Sequence, residues 1–282
     1  MRAREPGWHV RSRRLAALPL ALLVAAGAAA PEPPAKVEVV GTALRLTMAD
    51  GRVLTGDALV GAVLALGDEA GAGINVRIDA VRPDPRDPSG EVTLYALAVE
   101  DPASGAWRDL CGPDPDGLAL GFPLAGTWTA TGEHLPSARA FSLACTSGVI
   151  GKCVRMGYRP WAAAADGTPL GPYHQACTRM LRADYCGDGT PHTREGTPVN
   201  IADRLRLQTF DPAPEMSFEA AWGADGAICV RRVRIPEAAS LAELAAACPA
   251  RLAGRTGEAC TENAALRSPE VLILNRSFAV ED

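Results

Sequence analysis

Asp184, Asp188 and His192 stand four residues apart in a chain of 282 residues, and two carboxylates with an imidazole at that spacing can do two kinds of chemistry. A carboxyl group with a raised pKa, held near an imidazole, is a general acid or base. The same side chains offer oxygens suited to calcium or magnesium and a nitrogen suited to transition metals. Asp184 is the most informative of the three. Tyr173, Ala176, Cys177, Met180 and Leu181 recur at helical spacing, and the next step along that stripe lands on residue 184. The carboxylate therefore points with the apolar face, in a last turn whose macrodipole disfavours negative charge. Backbone amides of the following glycine loop, or an arginine, can compensate it, and the residue is then structural. A catalytic carboxylate working with His192 is the other reading, and both stay open. The spacing matches no EF-hand and Asp188-Gly189 is a common turn pair, so no metal is assigned; His174 is placed on the helix surface.

The cysteines come next. Cys111, Cys145, Cys153, Cys177, Cys186, Cys229, Cys248 and Cys260 are even in number, and the closest, Cys145 and Cys153, are too far apart for the short spacing of structural zinc ligands. Cys186 near His192 has the look of a nucleophile and its base, but an even count favours bridges. Each bridge contributes roughly 2–4 kcal/mol and survives only outside the reducing cytosol. Cys153, near the end of one helical stripe, and Cys177, near the start of the next, meet if those helices form an antiparallel hairpin. Cys186, nine positions beyond Cys177, is turned about 180° from it and needs a partner elsewhere. Cys248 and Cys260 can close a local loop; the full connectivity stays open.

Common catalytic signatures are missing. The chain holds no His-Glu-x-x-His and no Gly-x-Ser-x-Gly. Gly151-Lys152-Cys153 fails as a phosphate loop, because Thr146 stands where the first glycine belongs and Cys153 replaces Ser or Thr. No cofactor is expected.

Several segments together resemble a known family. Ala144-Cys145-Thr146-Ser147-Gly148, Lys152-Cys153-Val154-Arg155, Gly157-Tyr158-Arg159-Pro160-Trp161 and His174-Gln175-Ala176-Cys177-Thr178-Arg179 precede the run Ala183-Asp184-Tyr185-Cys186-Gly187-Asp188-Gly189, with His192-Thr193 and Gly196-Thr197 after it. This set resembles the ADYC domain family of exported bacterial proteins, from the β-rich half through Cys248. The resemblance implies bacterial origin and export. It implies no activity, and no catalytic residue is carried over.

The ends agree with export. Five arginines, the apolar run Leu15 to Ala26 and the exit Ala28-Ala29-Ala30 read as a signal peptide over residues 1–30, cleaved after Ala28. Arg13-Arg14 leave Sec and twin-arginine routes both open. Removing residues 1–30 shifts the formal net charge from −5 to −9, which argues against nucleic-acid or anionic-membrane partners. No later run reaches transmembrane length, so no integral membrane segment is expected after signal removal. An extracytoplasmic location (periplasm, cell surface or medium) and a cell-envelope or extracellular ligand follow.

The elements that must position these residues change character along the chain. A proline-rich leader occupies 31–35. Residues 36–131 read as an antiparallel β-rich domain, with strands at Val37–Val40, Leu44–Met48, Val53–Leu54, Ile74–Ile78 and Val92–Val99, a hairpin turn at Asp50-Gly51 and a surface loop at 84–90. Residues 140–282 form a Cys-rich domain. It opens on a strand at 141–145, followed by a short helix capped by Ser147 and stopped by Gly157. A second helix starts at Pro172 and stops at Gly187. Strands follow at Leu205–Leu207, Ala227–Val230 and Val271–Leu274. The capping box Ser240-x-x-Glu243 opens a last helix, and 254–268 is turn-rich. The fold class is α+β: an N-terminal antiparallel β-rich half followed by a disulfide-stapled helical and β half. The expected function is a non-catalytic binding or structural module, with Trp161 or Trp222 as exposed aromatic contacts; the alternative is a hydrolase-like or metal-dependent enzyme using Asp184, Asp188 and His192.

Overall fold

The computed structural model describes residues 34–67 and 73–278, all within one compact unit. The expected signal peptide and most of the proline-rich leader lie outside the described residues. The first half is built from strands β1 (Lys36–Val40), β2 (Ala43–Thr47), β3 (Val53–Leu54), β4 (Val63–Gly67), β5 (Gly73–Pro83), β6 (Thr93–Glu100), β7 (Trp107–Asp109), β8 (Gly121–Ala125), β9 (Thr127–Trp128) and β10 (His134–Leu135). Then come β11 (Phe141–Cys145), α1 (Val149–Arg155), α2 (Gly171–Arg182), β12 (Asn200–Asp203), β13 (Met216–Gly223) and β14 (Gly226–Val230). The chain closes with α3 (Leu241–Ala247), α4 (Pro249–Leu252), α5 (Glu262–Arg267) and β15 (Ile273–Phe278). This is the α+β arrangement, β-rich first and helix-bearing second.

Alternation explains the first half. Val76 and Ile78 of β5 are buried, while the alternate residues Arg77 and Asp79 pair on the outer face, as period two requires of a half-buried strand. β6 runs inside the main sheet, whose order is β11-β8-β6-β5-β4 with β7 also on β6. The three-stranded sheet β1-β2-β3 is tied to it where Leu44 N donates to the Tyr95 hydroxyl at 2.9 Å. β11, on the Cys-rich side of the expected boundary, completes this sheet by pairing with β8, and Cys111–Cys145 staples the same junction.

Two large hydrophobic cores result, one among Leu46, Ile78, Leu94 and Phe122, the other among Tyr173, Met180, Tyr185 and Trp222, and a small third cluster joins Ala221, Ala265, Val271 and Leu274. α1 stands between the two large cores, giving Val154 to the first and Cys153 to the second. Its last residue, Arg155, is buried against two carboxylates of the β half: Nε donates to Asp84 and Nη1 to Asp114, both at 2.7 Å. The 84–90 segment is a loop, but Asp84 at its head is buried in that clasp.

α1 and α2 form the expected hairpin, joined by Cys153–Cys177. The other bridges are Cys186–Cys248 and Cys229–Cys260, so the local Cys248–Cys260 loop does not form; β14 places Cys229 beside Cys260 instead. Gly148, not Ser147, caps α1. The second helix ends earlier than Gly187, at Ala183 in the left-handed conformation with φ +49°. The strand expected at Leu205–Leu207 is a tight turn, and β12 precedes it. Asp203 accepts from the amides of Leu205, Leu207 and Gln208, which wraps the chain around its carboxylate and takes those amides from any ladder. Within the turn-rich 254–268 segment, Thr261 caps α5. β15 runs past the expected Leu274 to Phe278 because it lies between β12 and β13 and pairs with both. The capping box of Ser240 and Glu243 is present at α3.

Candidate functional site

The end of α2 is where the sequence concentrates chemistry. Asp184 is fully buried. Arg179, one turn earlier, donates from Nη1 to Asp184 Oδ2 at 2.5 Å, Gly187 N donates to Oδ1 at 2.9 Å and Gly189 N to Oδ2 at 3.0 Å. Both compensations open to the residue, an arginine and the glycine-loop amides, are therefore used together, and both carboxylate oxygens are occupied. Asp188 points outward and accepts from Thr190 N at 2.8 Å, a bond that with other local partners lowers its pKa against partial burial. His192 donates its backbone N–H to Arg182 O at 3.1 Å, and its Nδ1 is 3.1 Å from Ala183 O. A carbonyl only accepts, so Nδ1 carries the proton and the imidazole closes the free carbonyls of the helix end. The three residues surround one loop, but each side chain serves the backbone there. Among the described residues no group of three or more His, Cys, Asp or Glu is placed to hold a metal ion.

The rest of the motif is committed in the same way. Ala183 supplies the left-handed turn that ends the helix. Tyr185 is buried, donating to Glu219 Oε1 at 3.1 Å and accepting from Arg234 N at 2.9 Å, with Trp222 stacked on its ring at 5.3 Å. Burial, followed by the Glu219 charge, pushes its pKa far up, so the phenol keeps its proton. Arg234 and Glu219, themselves buried, form a bidentate ion pair in which the guanidinium donates to both carboxylate oxygens at 2.9 and 3.0 Å, and Arg234 also donates to the α2 carbonyls of Met180 and Leu181. Cys186 is bridged to Cys248.

This loop reaches two hairpins. Gly187, at φ +74°, lies so close to the β13–β14 turn that a Cβ there would stand 1.7 Å from Asp225 O. Gly189 is packed against the 129–133 turn, where a Cβ would lie 2.7 Å from Thr131 Cα. Ala227 N donates to Tyr185 O at 2.9 Å, and Arg179 also donates to Thr131 O. Gln175 of α2 completes the clamp, accepting from His134 N at 3.0 Å and donating to Gly132 O at 2.6 Å.

The two clamped turns form walls of a cleft of about 770 Å3 whose lining includes Val39, Leu124, Pro136, Pro160 and Trp161, with Glu133 and Asp225 on the turns. Trp161 is 38% exposed. Its indole rests on Gly41, at φ +60°, where a Cβ would meet Nε1 at 3.1 Å. A second cleft of about 750 Å3 lies beside the Cys186–Cys248 bridge and carries Arg251 and Arg255 as well as Asp225 and Glu270. Asp184, Asp188 and His192 line neither cleft.

Trp161 was legible in the sequence as an aromatic contact, but Trp222 is buried, its Nε1 donating to Asn275 Oδ1 at 2.8 Å. His174 is likewise fully buried and not at the helix surface, since α1 packs over that side of α2 and its Ile150 O lies 3.2 Å from Nε2. Glu133 and Asp225 escaped sequence reasoning, because isolated acidic residues in turns have no periodicity to single them out.

The family model of the ADYC domain matches the chain over residues 56–236. No curated protein and no solved structure matches the chain.

Proposed function

The chain belongs to the ADYC domain family, and on that premise we propose that it is an exported, disulfide-stabilised protein that binds a ligand in the Trp161 cleft and is not a catalyst. The observation that carries this reading is the commitment of every residue in Ala183-Asp184-Tyr185-Cys186. One turns the chain, one is a carboxylate with both oxygens bonded, one is a buried phenol and one is a bridge. A general acid or base needs a side chain free to meet substrate, whereas these hold the two turns that wall the cleft. Their work is positioning. A concave surface with apolar walls, a half-open indole and a few polar groups is the usual form of a binding site.

Export is supported by the basic, apolar and small-residue order of residues 1–30 together with four disulfides, which a reducing cytosol does not maintain, and bacterial origin by the family resemblance alone. No helix among the described residues is long and apolar enough to cross a membrane. Expression of the full chain in a bacterial host is the direct test. The reading requires a processed protein starting near residue 29 in an extracytoplasmic fraction; an unprocessed cytoplasmic product with free thiols overturns it.

Catalysis is tested separately with Asp184→Asn. A positioning carboxylate gives a large loss of melting temperature. An unaltered melt would return Asp184 to the enzymatic alternative with Asp188 and His192.

A further inference from the structure

The charge in the Trp161 cleft is one-sided. Glu133 and Asp225 line it, and no lysine or arginine does. Neither carboxylate has an ion-pair or side-chain hydrogen-bond partner among the described residues, although the chain carries 28 basic residues and most of its buried carboxylates are matched by arginine. The neighbouring cleft beside Cys186–Cys248 shares Asp225 and differs in its basic lining, since Arg251 and Arg255 stand there with Glu270. His134 adds no free donor from its Nε2, which lies 3.0 Å from Ala125 O. What remains is an acidic, largely apolar cleft with a partly exposed indole.

We infer that the Trp161 cleft binds a small organic cation, an ammonium group carried on an apolar body. The inference rests on the binding function proposed above and names the ligand class for that cleft. Three features of the site select this class. An indole attracts a cation over its face, more strongly as the pair is desolvated. Two unpaired carboxylates attract positive charge and repel anions. Walls of Val39, Leu124, Pro136 and Pro160 reward an apolar body and give a strongly hydrated inorganic cation nothing in exchange for its water. The turns that carry both residues are also held in place: that of Asp225 is pinned by Gly187, and that of Glu133 by Gly189, Arg179 and Gln175.

The test uses the processed, disulfide-bonded protein and three probes of similar size: benzyltrimethylammonium, benzyl alcohol and phenylacetate. Binding is followed by calorimetry and by the NMR signal of the Trp161 indole. Benzyltrimethylammonium is expected to bind at least tenfold more tightly than the other two. Trp161→Ala is expected to abolish the interaction, and the double variant Glu133→Gln with Asp225→Asn to weaken it at least tenfold. Unchanged melting temperatures in these variants show that the fold is kept. Benzyl alcohol binding as tightly as the cation overturns the ligand class while leaving the cleft as a binding surface. Unchanged cation affinity in the double variant overturns it too. No response of Trp161 to any probe removes both the inference and the cleft as the binding site. A catalytic protein would be recognised independently, through Asp184→Asn with an unaltered melt.

Discussion

Gly187 and Asp225 touch backbone to backbone: the space a Cβ on residue 187 would occupy is filled by the Asp225 carbonyl, 1.7 Å away. The motif loop after α2 and the turn that carries a cleft carboxylate are thereby one mechanical unit. Gly187→Ala must move that turn and also hold a side chain at φ +74°. The left-handed conformation alone costs about 1 kcal/mol, and the clash adds to it. We expect a clearly lower melting temperature and a displaced Asp225 amide in NMR spectra; an alanine variant that melts and resonates like the parent refutes the contact.

Asp184→Asn leaves Arg179 buried beside a neutral group and removes the charge that the Gly187 and Gly189 amides face. Breaking one side of a buried pair costs roughly 3–5 kcal/mol. Denaturant unfolding is expected to show a loss of that order, with the loop amides of 187–189 exchanging faster with solvent.

Tyr185→Phe removes the hydroxyl that donates to Glu219 and accepts from Arg234 N. Arg234 N then lacks its acceptor, at about 1–3 kcal/mol for such a buried group, while Glu219 Oε1 keeps its bond from Arg234 Nη2. The variant should unfold at lower denaturant concentration than the parent with an unchanged slope; equal midpoints would mean that water replaces the hydroxyl without cost.

His174 makes acid stability partly a property of one side chain. Burial, helped by His134 and opposed by the Ile150 carbonyl, lowers its pKa from 6.5 to about 4. The folded chain refuses a proton that the unfolded chain takes up, so the contribution is complete above pH 6.5 and is lost as pH falls toward 4. The span corresponds to roughly 3 kcal/mol. His174→Gln should flatten the fall of stability over that window, and an identical pH slope in the variant would rule the residue out as its source.

Cys186–Cys248 closes the longest loop, 62 residues in sequence separation, and loop-closure entropy assigns it about 4 kcal/mol. Replacing both cysteines by serine should lower the unfolding free energy by an amount of that order. In the native protein, mass spectrometry after alkylation without reductant should find all eight cysteines unmodified; labelling of most of them would refute the bridges.

What the sequence determined by itself is local. The stripe from Tyr173 to Leu181 defines α2 and the face it buries, and it puts Asp184 where a charge needs compensation. Ser240 and Glu243 mark the start of α3, and the ends of two stripes bring Cys153 to Cys177. These are readable because helical and strand periods relate residues only a few positions apart. Contacts between distant segments depend on the path of the whole chain, and tertiary structure alone decided them. It buried His174 under α1, paired Cys186 with Cys248, and set Asp225 against Gly187 across 38 positions. Glu133 and Asp225 share a cleft for the same reason: each is an ordinary turn residue in sequence, and two hairpins had to be clamped by one loop before both turns lined it.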